Sequence, residues 1–225
     1  MTRPHILAFV QARMASRRFP GKVLAPLWGR PIIWHVLASV SVALPSVPVV
    51  VTTTASPSDD PLVSYVSSLG AAVFRGPEDD VLERIRLAAR AHPCDWILRL
   101  SADSPRLRGN VLQAVVDRAD QRECDVVTTI FPRSFPRGQN AEALRATVLD
   151  DINAAKLSAE DREHVTPYIY RHPEQFRIVN VGSGDPRLAK LSFAVDTLED
   201  LERLERLAER GVGSVGLEAV VSRLR

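Results

Sequence analysis

From residue 6 to residue 130, short apolar runs alternate with stretches of helical period, and few folds accept that rhythm. Ile6–Val10, Val47–Thr53, Ala72–Phe74, Trp96–Leu100 and Val126–Ile130 predict strands. Pro31–Val42, Pro61–Leu69, Asp80–His92 and Gly109–Asp120 predict the helices between them. Ser58-Asp59-Asp60 and Glu78-Asp79-Asp80 place carboxylates at helix starts, where backbone N–H groups lack partners. Strand–helix alternation of this kind predicts an α/β fold: a mostly parallel sheet flanked by helices, in the Rossmann-like manner. A chain of 225 residues fits one domain spanning 1–225. At that length a core forms without disulfides or structural metal.

After residue 130 the pattern changes. Phe131–Asn140 is rich in Pro, Arg and Gly and reads as a loop. Thr147–Ala155, Val165–Arg171 and Leu198–Glu209 predict helices, and Phe176–Val181 and Leu191–Val195 predict strands. Segment 131–190 is expected to pack over the sheet as a cover or to meet a partner subunit. Leu191–Val195 is expected to rejoin the core sheet. No internal repeat is present.

Net charge is only +2, yet its distribution is uneven. Residues 1–58 hold Arg3, Arg13, Arg17, Arg18, Lys22 and Arg30 and no carboxylate. The other 23 basic residues share the remaining sequence with all 27 acidic ones. A small global charge argues against nucleic acid as partner, which requires an extended basic face. An acid-free basic segment suits a small anion. Cys94 and Cys124 are isolated, without metal-ligand spacing, which fits reduced thiols in a cytoplasmic protein. Ile6–Val10 is too short for a signal-peptide core. The uncharged stretch 31–58 is interrupted by His35, Pro45 and Pro48, so no membrane span is expected.

Chemistry concentrates where strands end. The first strand runs into Gln11-Ala12-Arg13-Met14-Ala15-Ser16-Arg17-Arg18-Phe19-Pro20-Gly21-Lys22. Ligands of open parallel sheets bind beyond the carboxyl ends of the strands. Arginine forks and a lysine there suit a polyphosphate. The loop is not a P-loop, which needs Gly at the Ser16 position and Ser or Thr at the Val23 position. Asp103 and Asp196 each end an apolar strand pattern. They read either as two helix N-caps or as a pair on one sheet edge, able to hold Mg²⁺ together with phosphate oxygens. Arg133, Arg137, Glu142 and His164 are candidates for contact with an anionic second substrate, with surface ion pairing as the alternative. No Ser–His–Asp or Cys–His set is present.

Gln11-Ala12-Arg13-x-x-Ser16-x-Arg18-x-Pro20-Gly21-Lys22-Val23-Leu24 resembles the N-terminal signature of the cytidylyltransferases. The branch it is most similar to is the SpsF type of spore-coat polysaccharide biosynthesis, related to the acylneuraminate and 3-deoxy-manno-octulosonate cytidylyltransferases. Phe74-Arg75-Gly76-Pro77-Glu78-Asp79-Asp80-Val81-Leu82, Ser101-Ala102-Asp103-Ser104-Pro105, Arg162-Glu163-His164-Val165-Thr166-Pro167 and Val195-Asp196-Thr197-Leu198-Glu199-Asp200-Leu201 extend the likeness over nearly the whole chain.

The resemblance implies a nucleotide-diphospho-sugar transferase fold that uses CTP and Mg²⁺ and transfers a cytidylyl group to a small anionic acceptor. Arg13, Ser16, Arg18 and Lys22 would hold the triphosphate, with Lys22, Arg13 and Arg18 catalytic. Asp103 and Asp196 would bind the metal. Thr53 and Arg75 would lie near the cytosine or ribose. Arg137, Glu142 and His164 would face the acceptor. Segment 131–175 would serve acceptor binding and homodimer formation. The sequence departs from the family's pattern with Ala15 for Gly, Arg17 for Thr, Arg108 for an acid and Asn140 for Asp. Two other readings stand beside this one. A glycosyltransferase of the same fold would carry an Asp-x-Asp metal motif, which Ala102-Asp103-Ser104-Pro105 lacks. The second is a nucleotide-binding relative without catalysis.

Overall fold

A computed structural model describes residues 4–121, 123–152 and 157–209. Nine strands and eight α-helices form among them. The first strand, β1 (Ile6–Gln11), is buried along nearly its whole length. It pairs in parallel with β4 (Val49–Thr54) and β6 (Trp96–Ser101). β5 (Ala72–Gly76) adds to β4, also in parallel. Strands buried on both faces read as continuous β-branched runs, which is why Val49–Thr54 shows no alternation. The helices between them are α1 (Ile32–Ala43), α2 (Asp60–Ser68), α3 (Val81–Ala91) and α4 (Gly109–Asp120). A two-stranded hairpin, β2 (Pro26–Leu27) with β3 (Arg30–Pro31), precedes α1.

Residues beyond 120 complete the sheet differently from the sequence-based expectation. β7 (Val126–Thr128) does not pair with β6. The strand between them is β8 (Glu142–Arg145), antiparallel to both. β9 (Ile178–Asn180) closes the far edge, giving the order β5-β4-β1-β6-β8-β7-β9. Part of the expected cover is therefore a central strand of the sheet. Three short helices, α5 (Val148–Asp151), α6 (Ala159–His164) and α7 (Pro167–Arg171), lie between β8 and β9. The expected strand Leu191–Val195 does not rejoin the sheet. It is held by a single bridge, Arg137 to Ser192, and by the Val195 N–H donating to the Asp103 carbonyl at 2.9 Å. Its Phe193 and Val195 side chains pack away from the sheet, and Leu191 is exposed. Val195 joins Leu27, Ile32 and the Leu201 and Leu204 side chains of α8 (Leu198–Glu209) in a separate small core.

The main core lies on two faces of the sheet. One gathers Ala8, Val10, Val36, Val40, Leu98 and Val115. The other gathers Phe9, Leu82, Ile85, Ile97, Leu144 and Ile169. Burying such side chains contributes about 1.5–3 kcal/mol each. Cys94 and Cys124 are free thiols, and burial, then the Asp95 charge, pushes Cys94 up to about 11. No helix among the described residues is long and apolar enough to cross a membrane.

Candidate active site

The basic loop begins where β1 ends and folds back on itself. The Met14 carbonyl accepts from the Ser16 and Gly21 N–H groups at 3.0 and 2.8 Å. Gly21 holds φ +73°, the left-handed region that Gly enters without steric cost. One turn of 3-10 helix over Lys22–Leu24 then aims Lys22 back across the sheet edge. The loop's start is tied to β4 by Asp59, which the sequence marked only as a helix-start carboxylate. Asp59 is fully buried. It accepts from the Met14 N–H at 2.7 Å, the Thr53 hydroxyl at 2.7 Å, and the Thr54 N–H and hydroxyl at 3.0 and 2.5 Å.

Lys22 stands between the two strand-end carboxylates. Its ammonium donates to Asp103 Oδ2 at 3.1 Å, Asp196 Oδ1 at 2.9 Å and the Val195 carbonyl at 2.8 Å. Arg18 reaches the other oxygen of Asp196 at 3.0 Å. Neither aspartate caps a helix. α4 starts after Arg108, and Asp200 accepts from the N–H groups of Asp196 and Thr197 at the start of α8. The two carboxylates thus converge, although Asp196 arrives on a segment outside the sheet. Burial pulls the Asp196 pKa up, and the Lys22 and Arg18 cations outweigh it and hold the carboxyl below its usual range.

Two cavities meet at this pair. One, of about 350 Å³, is lined by the basic loop from Gln11 to Val23, by Val81 and Arg84 of α3, and by Glu163 and His164 of α6. The other, of about 340 Å³, is lined by Arg133, Arg137, Gly138, Asn140 and Glu142. Gln11, Arg99, Ser101, Asp103 and Asp196 border both. A chain of contacts fixes this shared wall. Arg99 is paired with Glu142, whose other oxygen accepts from Tyr170 of α7. The Tyr170 oxygen accepts from the Thr128 hydroxyl at 2.8 Å, and its ring stacks on Phe131 with centroids 4.6 Å apart. Burial, then the Glu142 charge, pushes the Tyr170 hydroxyl far up, so it stays protonated.

Most candidate residues gather here, with three differences from the expectation. His164 borders the loop-side cavity, not the one holding Arg137. It sits just before Val165, whose φ of 70° and ψ of −55° are strained for a β-branched residue. The Thr166 N–H closes that γ-turn on the His164 carbonyl at 2.8 Å. Glu142 is 1% exposed and spends both oxygens inside the protein, so it forms a floor more than a contact surface. Thr53 and Arg75 border neither cavity. Thr53 is buried on Asp59, and Arg75 donates to the Thr54 and Ser56 carbonyls and to Asp60 at 2.9, 2.7 and 2.6 Å. Arg84 and Arg99 also line the loop-side cavity, and neither stands out in the sequence, where each looks like an ordinary arginine within a helix or strand.

Asp103 and Asp196 suit a hard divalent cation. Both oxygens lie within 3.1 Å of one ammonium nitrogen, and Mg²⁺ needs only one or two carboxylates when phosphate oxygens supply the rest. No cluster of three or more His, Cys, Asp or Glu ligands exists among the described residues.

A mostly parallel sheet with a cationic strand-end loop and a carboxylate pair at its carboxyl edge is the apparatus of a nucleotidyltransferase. The chain belongs to the cytidylyltransferase family, whose pattern it matches over residues 7–218. Among curated relatives, the spore coat polysaccharide biosynthesis protein SpsF of Bacillus subtilis is 30% identical over 211 residues, 91% of this chain and 87% of that protein. A cytidylyltransferase structure from Leptospira borgpetersenii superposes with a TM-score of 0.86 at 28% identity, covering 93% of this chain and 88% of that one. CMP:2-keto-3-deoxy-manno-octonic acid synthetase complexed with CTP shares the fold, with a TM-score of 0.69 at 18% identity over 92% and 99% of the two chains.

Proposed function

We propose that this enzyme uses CTP and a divalent cation, with Mg²⁺ the expected ion, to cytidylylate a small anionic acceptor. An acceptor oxygen bonds to the α-phosphorus of CTP, the bond from that phosphorus to the bridging oxygen breaks, and pyrophosphate leaves. An acceptor hydroxyl gives its proton to solvent, whereas a phosphate or phosphonate oxygen has none to give. The observation that carries this reading is the shared wall. Asp103 and Asp196 border both cavities at once, where a nucleotide's α-phosphate and an attacking oxygen have to meet.

Arg13, Ser16, Arg18 and Lys22 would hold the triphosphate. Arg13 now pairs with Glu163 at 3.3 Å and Arg18 with Asp196, so the phosphates would replace carboxylates already occupying these donors. Lys22 would stabilise charge on the departing pyrophosphate. Asp103 and Asp196 would hold Mg²⁺, which when bound neutralises phosphate charge. Arg133 and Arg137 support an anionic acceptor in the second cavity. Among the described residues no carboxylate pairs with either, and the 2.7 Å partner of Arg133 is the neutral Asn140 amide. Similarity to SpsF points to a precursor of a surface polysaccharide. The homodimer contact through segment 131–175 belongs to the same proposal, supported by the exposed Phe131 ring.

The test is pyrophosphate release with CTP, Mg²⁺ and a panel of sugar acids, sugar phosphates and phosphonates. Stoichiometric pyrophosphate and a CMP- or CDP-linked product are expected. Release of nucleoside diphosphate from a nucleotide sugar, with no pyrophosphate from CTP, overturns the proposal.

A further inference from the structure

Arg84 is a buried cation that lines the loop-side cavity. It is 2% exposed. Among the described residues it forms no ion pair, and its side-chain hydrogen bond runs from Nη1 to the Pro77 carbonyl at 2.6 Å. Its Nε is buried without a partner. Burying a polar group unpaired is costly, so a fixed guanidinium kept this way needs a reason. Its position is set tightly. Gly76 ends β5 beneath it, and a Cβ there would come within 3.0 Å of Arg84 Cγ.

Arg84 lines the same cavity as the basic loop, on the side of α3. Burial lowers its pKa, and the nearby charges that act on it include Arg13, Asp59, Glu78 and Asp80. α3 follows β5, and β5 lies three strand spacings from β6, the strand that leads to Asp103, or about 14 Å. With the reacting phosphate at the Asp103 end, the nucleoside extends toward α3. Val81 and Ala12 line the same cavity and offer apolar surface to a flat ring.

We infer that Arg84 reads the base of the nucleotide and is the residue that selects cytosine over uracil. The inference rests on the CTP-dependent reading above. Nη1 is committed to Pro77 and Nε is enclosed, which leaves the N–H groups of Nη2 as donors toward the cavity. Cytosine offers two adjacent acceptors, O2 and N3. Uracil carries a hydrogen on N3, so a donor would face a donor. A site built to hydrogen-bond one ligand rejects the analogue that leaves its buried groups unpaired.

Calorimetric titration of the full chain with Mg²⁺ and either CTP or UTP tests this. The native protein is expected to prefer CTP, and Arg84→Met to lose that preference by about 10- to 100-fold, chiefly through weaker CTP binding. UTP affinity in Arg84→Met should stay within about threefold, as most of it comes from the triphosphate cradle. That retained binding also reports that the variant is folded. Arg84→Lys, which keeps the charge and loses the fork, should lose the preference as well, and stands in if Arg84→Met does not fold. An unchanged CTP-to-UTP ratio overturns the inference, as does an equal loss of both nucleotides. A native protein that binds CTP and UTP alike overturns both this inference and CTP selectivity. Native preference for CTP with an unchanged ratio in the variants leaves the CTP reading standing alone.

Discussion

The Asp59 carboxylate accepts the Met14 backbone N–H at 2.7 Å, so the basic loop is fastened to the end of β4 by a side chain that the ligand need not touch. The same carboxylate receives three donors from Thr53 and Thr54. Asp59→Ala leaves those donors unpaired in a buried place. A loss of about 2–4 kcal/mol in urea unfolding is expected, with weaker nucleotide binding because the loop start is released.

The pH dependence of stability has the corresponding sign. Burial pulls the Asp59 pKa up, but hydrogen bonds from Thr54, Met14 and Thr53 outweigh it and hold the pKa below the usual carboxylate value. The resulting stability is present above the unfolded value of about 3.9 and is lost as pH falls through the folded value. Unfolding free energy should therefore drop below pH 4 less steeply in Asp59→Asn than in the native chain. Parallel slopes would remove Asp59 from this account.

Lys22→Met removes the cation shared by Asp103 and Asp196. With a turned-over acceptor, kcat should fall on the order of 10²–10³, the range seen when a charge-stabilising donor is lost. Carboxyl carbon NMR should show the Asp196 pKa rising, since Lys22 helps to hold it down. Full pyrophosphate release by the variant would remove Lys22 from the chemistry.

Gly138→Ala tests how the wall of the second cavity is held. Gly138 has φ +87°, and a Cβ would lie 2.7 Å from Ala194 N and from the Phe193 carbonyl carbon. Both strain and overlap oppose the substitution, so a cost of about 2 kcal/mol or more is expected in thermal unfolding. Arg137 should lose its register, because its carbonyl accepts the Phe193 N–H at 2.7 Å and its own N–H donates to Leu191 at 3.0 Å.

Tyr170 should remain protonated in alkaline solution. Burial and the Glu142 charge raise its pKa, so the stability it contributes is present below the unfolded value of about 10 and lost as pH rises beyond it. Absorbance titration near 295 nm should show one tyrosine fewer ionising before alkaline unfolding than in Tyr170→Phe plus one. Equal counts of residual slow-titrating tyrosines in the native chain and Tyr170→Phe would contradict this.

The first half of the fold was legible because its strands are continuous apolar runs and its helices are periodic. α4 (Gly109–Asp120) falls on the boundaries the sequence suggested, and α8 starts at Leu198 as it suggested. β8 was not legible. It is four residues long and opens with Glu142, a residue that enters the sheet only because Arg99 and Tyr170 engage its charge. Leu191–Val195 misled in the opposite direction: its Phe193 and Val195 serve a different core beside α8. The basic loop and both aspartates were visible because their charges stand at strand ends. Arg84 was not, since only the fold shows that its turn of α3 faces a cavity instead of water.

The loop between β7 and β8 is stapled at both ends by adjoining strands in the middle of the sheet. Arg133, Arg137 and Asn140 can therefore be exchanged without altering the strand register on either side. If the cavity beside this loop takes the acceptor, as proposed, a library randomised at those three positions should yield folded proteins with altered acceptor choice, because loops on a fixed scaffold tolerate change.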